Sequence, residues 1–194
     1  MKNLRWNWLV LPLLFFTLSG CEVFLVSGII TGVGTGLAVS EDRRTSGTFV
    51  EDEGIEFTSA QLIGEKTTAS IHVNVTSFNR NVLLTGEAPT ESIKKEIEDL
   101  ISGVKNVRNV TNDIVVTSPS SLLTRSNDMI TTAKVKGRFL DGGRFQINHV
   151  KVVTENGTVY LLGLVKRQES ESASEIASST SGVRRVVKVF EFLD

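Results

Sequence analysis

The chain is 194 residues long, carries 21 Lys and Arg against 22 Asp and Glu, and contains one cysteine and two histidines. A lone cysteine excludes an intramolecular disulfide, and two histidines without a cluster of partner ligands argue against a metal or general-base centre. The formal net charge of −1 hides a division: residues 40–117 hold 8 Lys/Arg and 13 Asp/Glu, net −5, whereas residues 118–194 hold 11 and 8, net +3.

At the N-terminus Lys2 and Arg5 precede the apolar run Leu9-Val-Leu-Pro-Leu-Leu-Phe-Phe16, and the small residues Ser19 and Gly20 stand before Cys21. Basic, apolar, small is the order of a secretory signal, and the run is too short to cross a bilayer. Residues 1–20 are therefore expected to be a removable signal peptide; a buried helix would have to hide Trp6, Trp8 and Phe16. Leu18-Ser-Gly-Cys21 resembles a lipobox. That resemblance implies cleavage before Cys21, a diacylglycerol thioether on its sulfur and an acyl chain such as palmitate on its amine. Several chains anchor stably where one binds marginally, at about 0.8 kcal/mol per buried methylene. Glu22 is not the Asp that retains such proteins in the inner membrane, so the motif points to the outer membrane. Residues 23–39 are uncharged and include Gly28, Gly32, Gly34 and Gly36. A membrane helix pairing through small residues is one reading of this tract. Its shortness and its four glycines favour a tether over residues 21–45 instead.

From residue 70 the chain repeats itself. Shifted by 77 positions, residues 72–86 lie over 149–163 with 7 of 15 identical, among them His72/His149, Asn79/Asn156 and Gly86/Gly163. After a two-residue length difference, Gly103-Val104-x-x-Val107 repeats as Gly182-Val183-x-x-Val186. Alternating Val73 and Val75, with Val150 and Val152, predict half-buried strands. Asn156-Gly157 predicts a type I′ hairpin, and Asn79-Arg80-Asn81 a looser equivalent. Thr90 is expected to cap a helix whose apolar face is Ile93, Ile97, Leu100 and Ile101. Residues 169–180, with Ala173, Ile176 and Ala177, form its counterpart, and Gly103 and Gly182 are read as the caps that end both helices. Last strands follow at 107–116 and 186–192. Upstream of each hairpin lies another helix, one marked by Ile55, Ser59, Leu62 and Ile63, the other capped by Ser126 and facing inward through Val135 and Phe139. The expected fold is α+β: two tandem αββαβ domains, 46–117 and 125–194, each with a three-stranded mixed sheet packed on two helices. Ser118-Pro-Ser-Ser lies in the linker, 118–124.

The αββαβ order, the glycines at 86 and 163 and the Gly-Val-x-x-Val segments resemble the BON family; two such modules behind a lipobox resemble its outer-membrane lipoproteins. Val73-Asn-Val-Thr76, Val82-Leu-Leu84, Ser126-Asn-Asp128, Thr154-Glu-Asn-Gly157 and Gly163-Leu-Val165 carry the likeness. It implies a non-enzymatic, lipid-anchored protein on the periplasmic face of the outer membrane, without a cofactor. Such proteins support envelope integrity, gather at the division site and bind anionic phospholipid, phosphatidylglycerol-like, through the first helix of the second module. Carried over, that helix is 128–140 and the contacts are Ile130, Lys134, Lys136 and Arg138. Ile130 stands where a family member has tryptophan, and it lacks the aromatic preference for headgroup depth. Lipid contact is therefore expected to be weaker or to lean harder on charge.

The residues themselves agree in part. Ile130, Lys134 and Arg138 recur every four positions on one face while Val135 and Phe139 turn toward the sheet. A merely solvated charged face has the same pattern. The competing function is a protein–protein adaptor, meeting outer-membrane assembly machinery or regulators of cell-wall hydrolases through sheet edges or the acidic helix at 91–99. Docking of the acidic module on the basic one is a further expectation. Catalysis finds no support: His72 and His149 hold equivalent strand positions, no Ser/His/Asp set can be argued, and Gly32-Val-Gly-Thr-Gly36 lacks the lysine of a phosphate loop. Arg184, Arg185 and Lys188 are too few for a nucleic-acid footprint.

Overall fold

The computed structural model describes residues 42–66 and 70–194; the signal peptide, Cys21 and the glycine-containing tract lie outside the described residues. Among the described residues no helix is long and apolar enough to cross a membrane. The first module runs α1 (Ser46–Lys66), β1 (His72–Phe78), β2 (Asn81–Ala88), α2 (Glu91–Ser102), β3 (Asn109–Asn112) and β4 (Val115–Val116). The second runs α3 (Leu122–Gly142), β5 (Val150–Glu155), β6 (Thr158–Val165), α4 (Arg167–Ser178) and β7 (Arg185–Phe192). In each, a hairpin pairs antiparallel and its second strand then takes the last strand in parallel, so β2 and β6 are central. This is the α+β architecture expected, two mixed sheets each backed by two helices. Ile55 and Ile63 of α1 and Ile97 and Ile101 of α2 close on Val82 and Leu84 of β2. Val135 and Phe139 of α3 and Ala173, Ile176 and Ala177 of α4 close on Val159 and Leu161 of β6. Burying each large side chain of these sets stabilises the fold by about 1.5–3 kcal/mol.

Three local expectations are corrected. Helix α3 begins before Ser126: Ser121 is its N-cap, accepting from the Thr124 N–H, while the Ser126 hydroxyl donates back to the Leu122 carbonyl from inside the helix. Nothing between Leu122 and Arg125 breaks a helix, and Pro119 stops it only beyond Ser121. Gly103 does cap α2, but α4 ends at the C-cap Ser179, and Gly182 lies in the following turn at φ 101°. The residue that matches Gly182 is Asn106, at φ 71°, because the helices correspond at a shift of 76, not 79. Pro89-Thr90 in one copy faces Lys166 alone in the other, and that single residue is the true length difference. The Gly-Val-x-x-Val likeness is therefore not a structural equivalence; Val110 and Val186 are the pair that lie beside Val82 and Val159. Finally, the last strand of the first module is broken. The Asn112 side chain accepts from the Ile114 N–H, Ile114 dives into the core, and pairing resumes at Val115.

Both hairpin turns are two residues long with left-handed backbone, Asn79-Arg80 at φ 51° and 63° and Asn156-Gly157 at φ 45° and 71°. Each is held by a buried aspartate of the preceding helix. Asp52 accepts from the Asn79 and Arg80 N–H groups and from the Ser77 hydroxyl. Asp128 accepts from the Asn156 and Gly157 N–H groups. Gly86 and Gly163 are required for closeness: a Cβ would stand 2.0 Å from the His72 carbonyl oxygen and 2.2 Å from that of His149.

The second face of each sheet is buried too. Phe78 and Leu83 of the first module meet Tyr160 and Leu162 of the second, with Val153, Leu164, Val187 and Val189 around them. The two modules thus stack as helices, sheet, sheet, helices. Polar contacts rim this seam: Lys151 to Glu56 at 2.6 Å, Arg185 to Asp113 at 3.3 Å, Arg108 to Glu191 at 3.4 Å, and the Tyr160 hydroxyl donating to Asp113. Two of the three ion pairs set an acid of the first module against a base of the second, the sense of the charge division. The adjacent residues Arg43 and Arg44 divide between the modules. Arg43 donates to Glu169 and to the Leu164 carbonyl, while Arg44 pairs with Asp42 and Asp52 and stacks on Phe78.

Burial raises the carboxyl groups of Asp42 and Glu169, but hydrogen bonds and charge from Arg44 and Arg43 outweigh it, and both end below their ordinary values of 3.8 and 4.5. The native state therefore binds fewer of these protons than the unfolded chain. Their stabilisation is complete above about pH 4.5 and is lost as pH falls through the lowered native values. Tm measured from about pH 6 down to about pH 3 should drop in that window, and Glu169→Gln should shallow the drop.

Candidate functional site

The sequence places its candidate contacts on α3, and the helix has two faces of different character. Asp128, Thr131, Val135 and Phe139, three or four residues apart, are buried toward the sheet. Opposite them lies an exposed apolar stripe: Leu122 (79%), Leu123 (72%), Met129 (74%), Ile130 (54%) and Leu140 (65%), with Ala133 and Gly137 between. Nothing in the described residues covers Gly137. At about 100° per residue, Lys134 and Lys136 fall on opposite borders of the stripe, about 80° to either side of its middle. Both lysines are exposed, and neither forms an ion pair among the described residues.

The structure separates the four predicted contacts by role. Ile130 and Lys134 border one groove, together with Thr124, Asn127, Asn156 and Arg184. Lys136 faces another, beside Phe49, Ile147 and Lys151. Arg138 is occupied otherwise: its guanidinium donates to the Ile176 carbonyl at 3.0 Å and to the hydroxyls of Ser179 and Thr180 at 3.1 and 2.8 Å. It thereby clamps the C-terminal end of α4, where a cation also meets the negative end of the helix dipole. Arg138→Ala should lower stability by about 1.5–3 kcal/mol, read as a fall in the urea midpoint, with little change at the exposed stripe.

Two features were not legible beforehand. Arg184 reaches the groove of Ile130 and Lys134 by donating to the Asn156 carbonyl and side chain, adding a second cation there. Its signal in the sequence was only the basic excess of the second half. Elsewhere, His72 and Glu87, directly paired across β1 and β2, meet Glu155 from the second module. Glu87 and Glu155 are buried, only 4% and 7% exposed. Burial pushes the Glu155 carboxyl up, with Asn74 pulling against it, and burial likewise pushes the His72 imidazole down. His149, the repeat equivalent of His72, instead has Glu169 3.6 Å from its Nδ1.

A family model described as the BON domain matches residues 52–118 and again 127–194. The chain is 37% identical over 182 residues to the outer membrane lipoprotein DolP of Haemophilus influenzae, which spans 91% of this chain and 94% of that one. It is 31% identical over 154 residues to a 21 kDa hemolysin of Actinobacillus pleuropneumoniae, covering 78% and 79% of the two chains. To the osmotically-inducible protein Y of Escherichia coli it is 28% identical over 160 residues, covering 80% of each. Since both halves match the model and the DolP likeness runs almost end to end, this chain belongs to the BON family, as a dual-BON outer-membrane lipoprotein of the DolP type.

Proposed function

We propose that the protein binds anionic phospholipid through the outer face of α3 and by that contact supports outer-membrane integrity, including at the division site. The observation that carries this reading is the apolar stripe from Leu122 to Leu140, exposed along its length and bordered on each side by a lysine. An amphipathic helix of this kind lies in the interface, apolar residues among the acyl chains and cations at the headgroups. The lipid at Cys21 supplies the anchor, and α3 adds a second, weaker point of attachment, amplified by the high effective concentration of a tethered module. No cofactor enters this reading. Vesicle co-sedimentation of the chain without its lipid tests it: binding is expected to phosphatidylglycerol-containing vesicles, weakening as salt rises, and not to phosphatidylcholine alone. Equal binding to both, or none to either, removes the proposal.

A second reading, the protein–protein adaptor, draws on α1. Val50 and Phe57, seven residues apart, are 68% and 73% exposed on the acidic module. Crosslinking in cells from position 57 separates the two: one dominant protein product, for instance with outer-membrane assembly machinery, favours the adaptor.

A further inference from the structure

We propose that His72, Glu87 and Glu155 form a binding site for a divalent first-row transition-metal ion, with Zn2+ its simplest occupant, that clamps the two modules at their seam. The three residues offer one imidazole nitrogen and two carboxylate oxygens, all within 4.8 Å of one another. Around a tetrahedral ion with bonds of 2.0–2.2 Å, ligand atoms stand roughly 3.3–3.6 Å apart, so closure needs side-chain movements of about 1 Å.

The charge balance supports a cation there. Two carboxylates are buried side by side, and among the described residues neither pairs with a lysine or arginine. Among the described residues Glu87 accepts only the Ser120 N–H, at 3.1 Å, and Glu155 accepts the Asn74 amide at 2.7 Å, with His72 Nε2 3.6 Å away. Arg125 is near enough to act on His72 and Glu155 electrostatically, but its Nε is directed to the Ser120 hydroxyl. Buried carboxylates so placed are costly until a counter-charge joins them. The second module shows the alternative solution at the matching histidine. Beside His149 the acid is Glu169, and Arg43 already neutralises it at 2.6 Å. Among the described residues no guanidinium forms an ion pair with Glu87 or Glu155.

The donor set also selects the metal. A neutral imidazole with two carboxylates suits zinc and its neighbours, whereas calcium and magnesium take oxygen ligands only. Asn74, whose amide nitrogen lies 3.3 Å from His72 Nε2 and 2.7 Å from Glu155, is placed to orient both ligands or to turn its oxygen inward as a fourth. Because Glu155 belongs to the other module, the bound ion would resist opening of the seam. This inference is independent of whether α3 meets lipid.

The test uses the full-length protein in detergent, titrated with Zn2+ against a chromophoric chelator. One equivalent should bind in the micromolar range or tighter, and His72→Gln and Glu155→Gln should each weaken binding by about tenfold or more. With only two histidines in the chain, imidazole NMR supplies a readout that needs no variant. Zn2+ should move the His72 ring resonances and leave those of His149 in place. Absence of micromolar binding, binding unaffected by both substitutions, a response at His149 instead, or displacement of Zn2+ by millimolar Ca2+ would overturn the assignment.

Discussion

Replacing Lys134 and Lys136 together by Glu is expected to abolish binding of the unlipidated chain to phosphatidylglycerol vesicles. Each basic residue near an anionic surface contributes about 1 kcal/mol, so removing two cations and installing two anions changes the contact by about 4 kcal/mol, roughly a thousandfold in affinity. Stability should not follow, because both lysines are exposed and form no ion pair among the described residues. A Tm within about 2 °C of the parent would show that the fold is intact. Arg138 is no part of the reversal, since its clamp on Ile176, Ser179 and Thr180 would confound lipid binding with unfolding. Ile130→Trp is the complementary change. It places an aromatic ring at the border of the stripe and should tighten binding, because tryptophan prefers headgroup depth. Unchanged vesicle binding in the double reversal would leave the lysines as a solvated border and the charge mechanism without support.

The split of α3 into a buried and a lipid-facing side was half visible in the sequence. Val135 and Phe139 announced the inner face by their spacing, and Lys134 the cationic border. Ser126 reads as the better cap in the sequence and leaves Leu122 and Leu123 outside the helix; with Ser121 as the cap they extend the apolar stripe by about two turns. The seam between the modules also left a signal. A strand covered on one face alternates, but Val82-Leu-Leu84 and Val159-Tyr-Leu-Leu162 are continuous apolar runs, as befits strands buried on both sides. Leu83, Tyr160 and Leu162 are the residues of the wrong parity for a helix-covered face, and they are the ones that meet in the seam. What no spacing could show is which side chains the docked sheets bring together. His72 and Glu155 are 83 positions apart, on different copies of the repeat, and a sequence read one module at a time has no reason to join them. The shift of 79 for the last strand failed for a related reason. Identity at Gly-Val-x-x-Val outweighed backbone geometry, whereas the turn before the strand demands a left-handed residue, supplied by Asn106 in one copy and Gly182 in the other.

Asp52→Ala is expected to destabilise the protein by about 4 kcal/mol, and Asp128→Ala by only about 2 kcal/mol, although the two hold equivalent places. The difference follows from what each carboxylate satisfies. Asp52, 1% exposed, receives the Ser77 hydroxyl, the Asn79 and Arg80 N–H groups and the Arg44 guanidinium, so its loss strands three donors and leaves Arg44 with only Asp42 among the described acids. Asp128 receives two backbone N–H groups. The turns add to the contrast. Arg80 sits at φ 63°, where a side chain costs roughly 1 kcal/mol, whereas Gly157 at φ 71° adopts that conformation freely. Asp52 therefore holds a strained turn and Asp128 a relaxed one. Urea unfolding of the two variants should separate their midpoints accordingly, and Arg80→Gly added to Asp52→Ala should recover about 1 kcal/mol. Equal losses, or no recovery from the glycine, would mean that the turn is held by strand pairing and that the aspartates only accompany it.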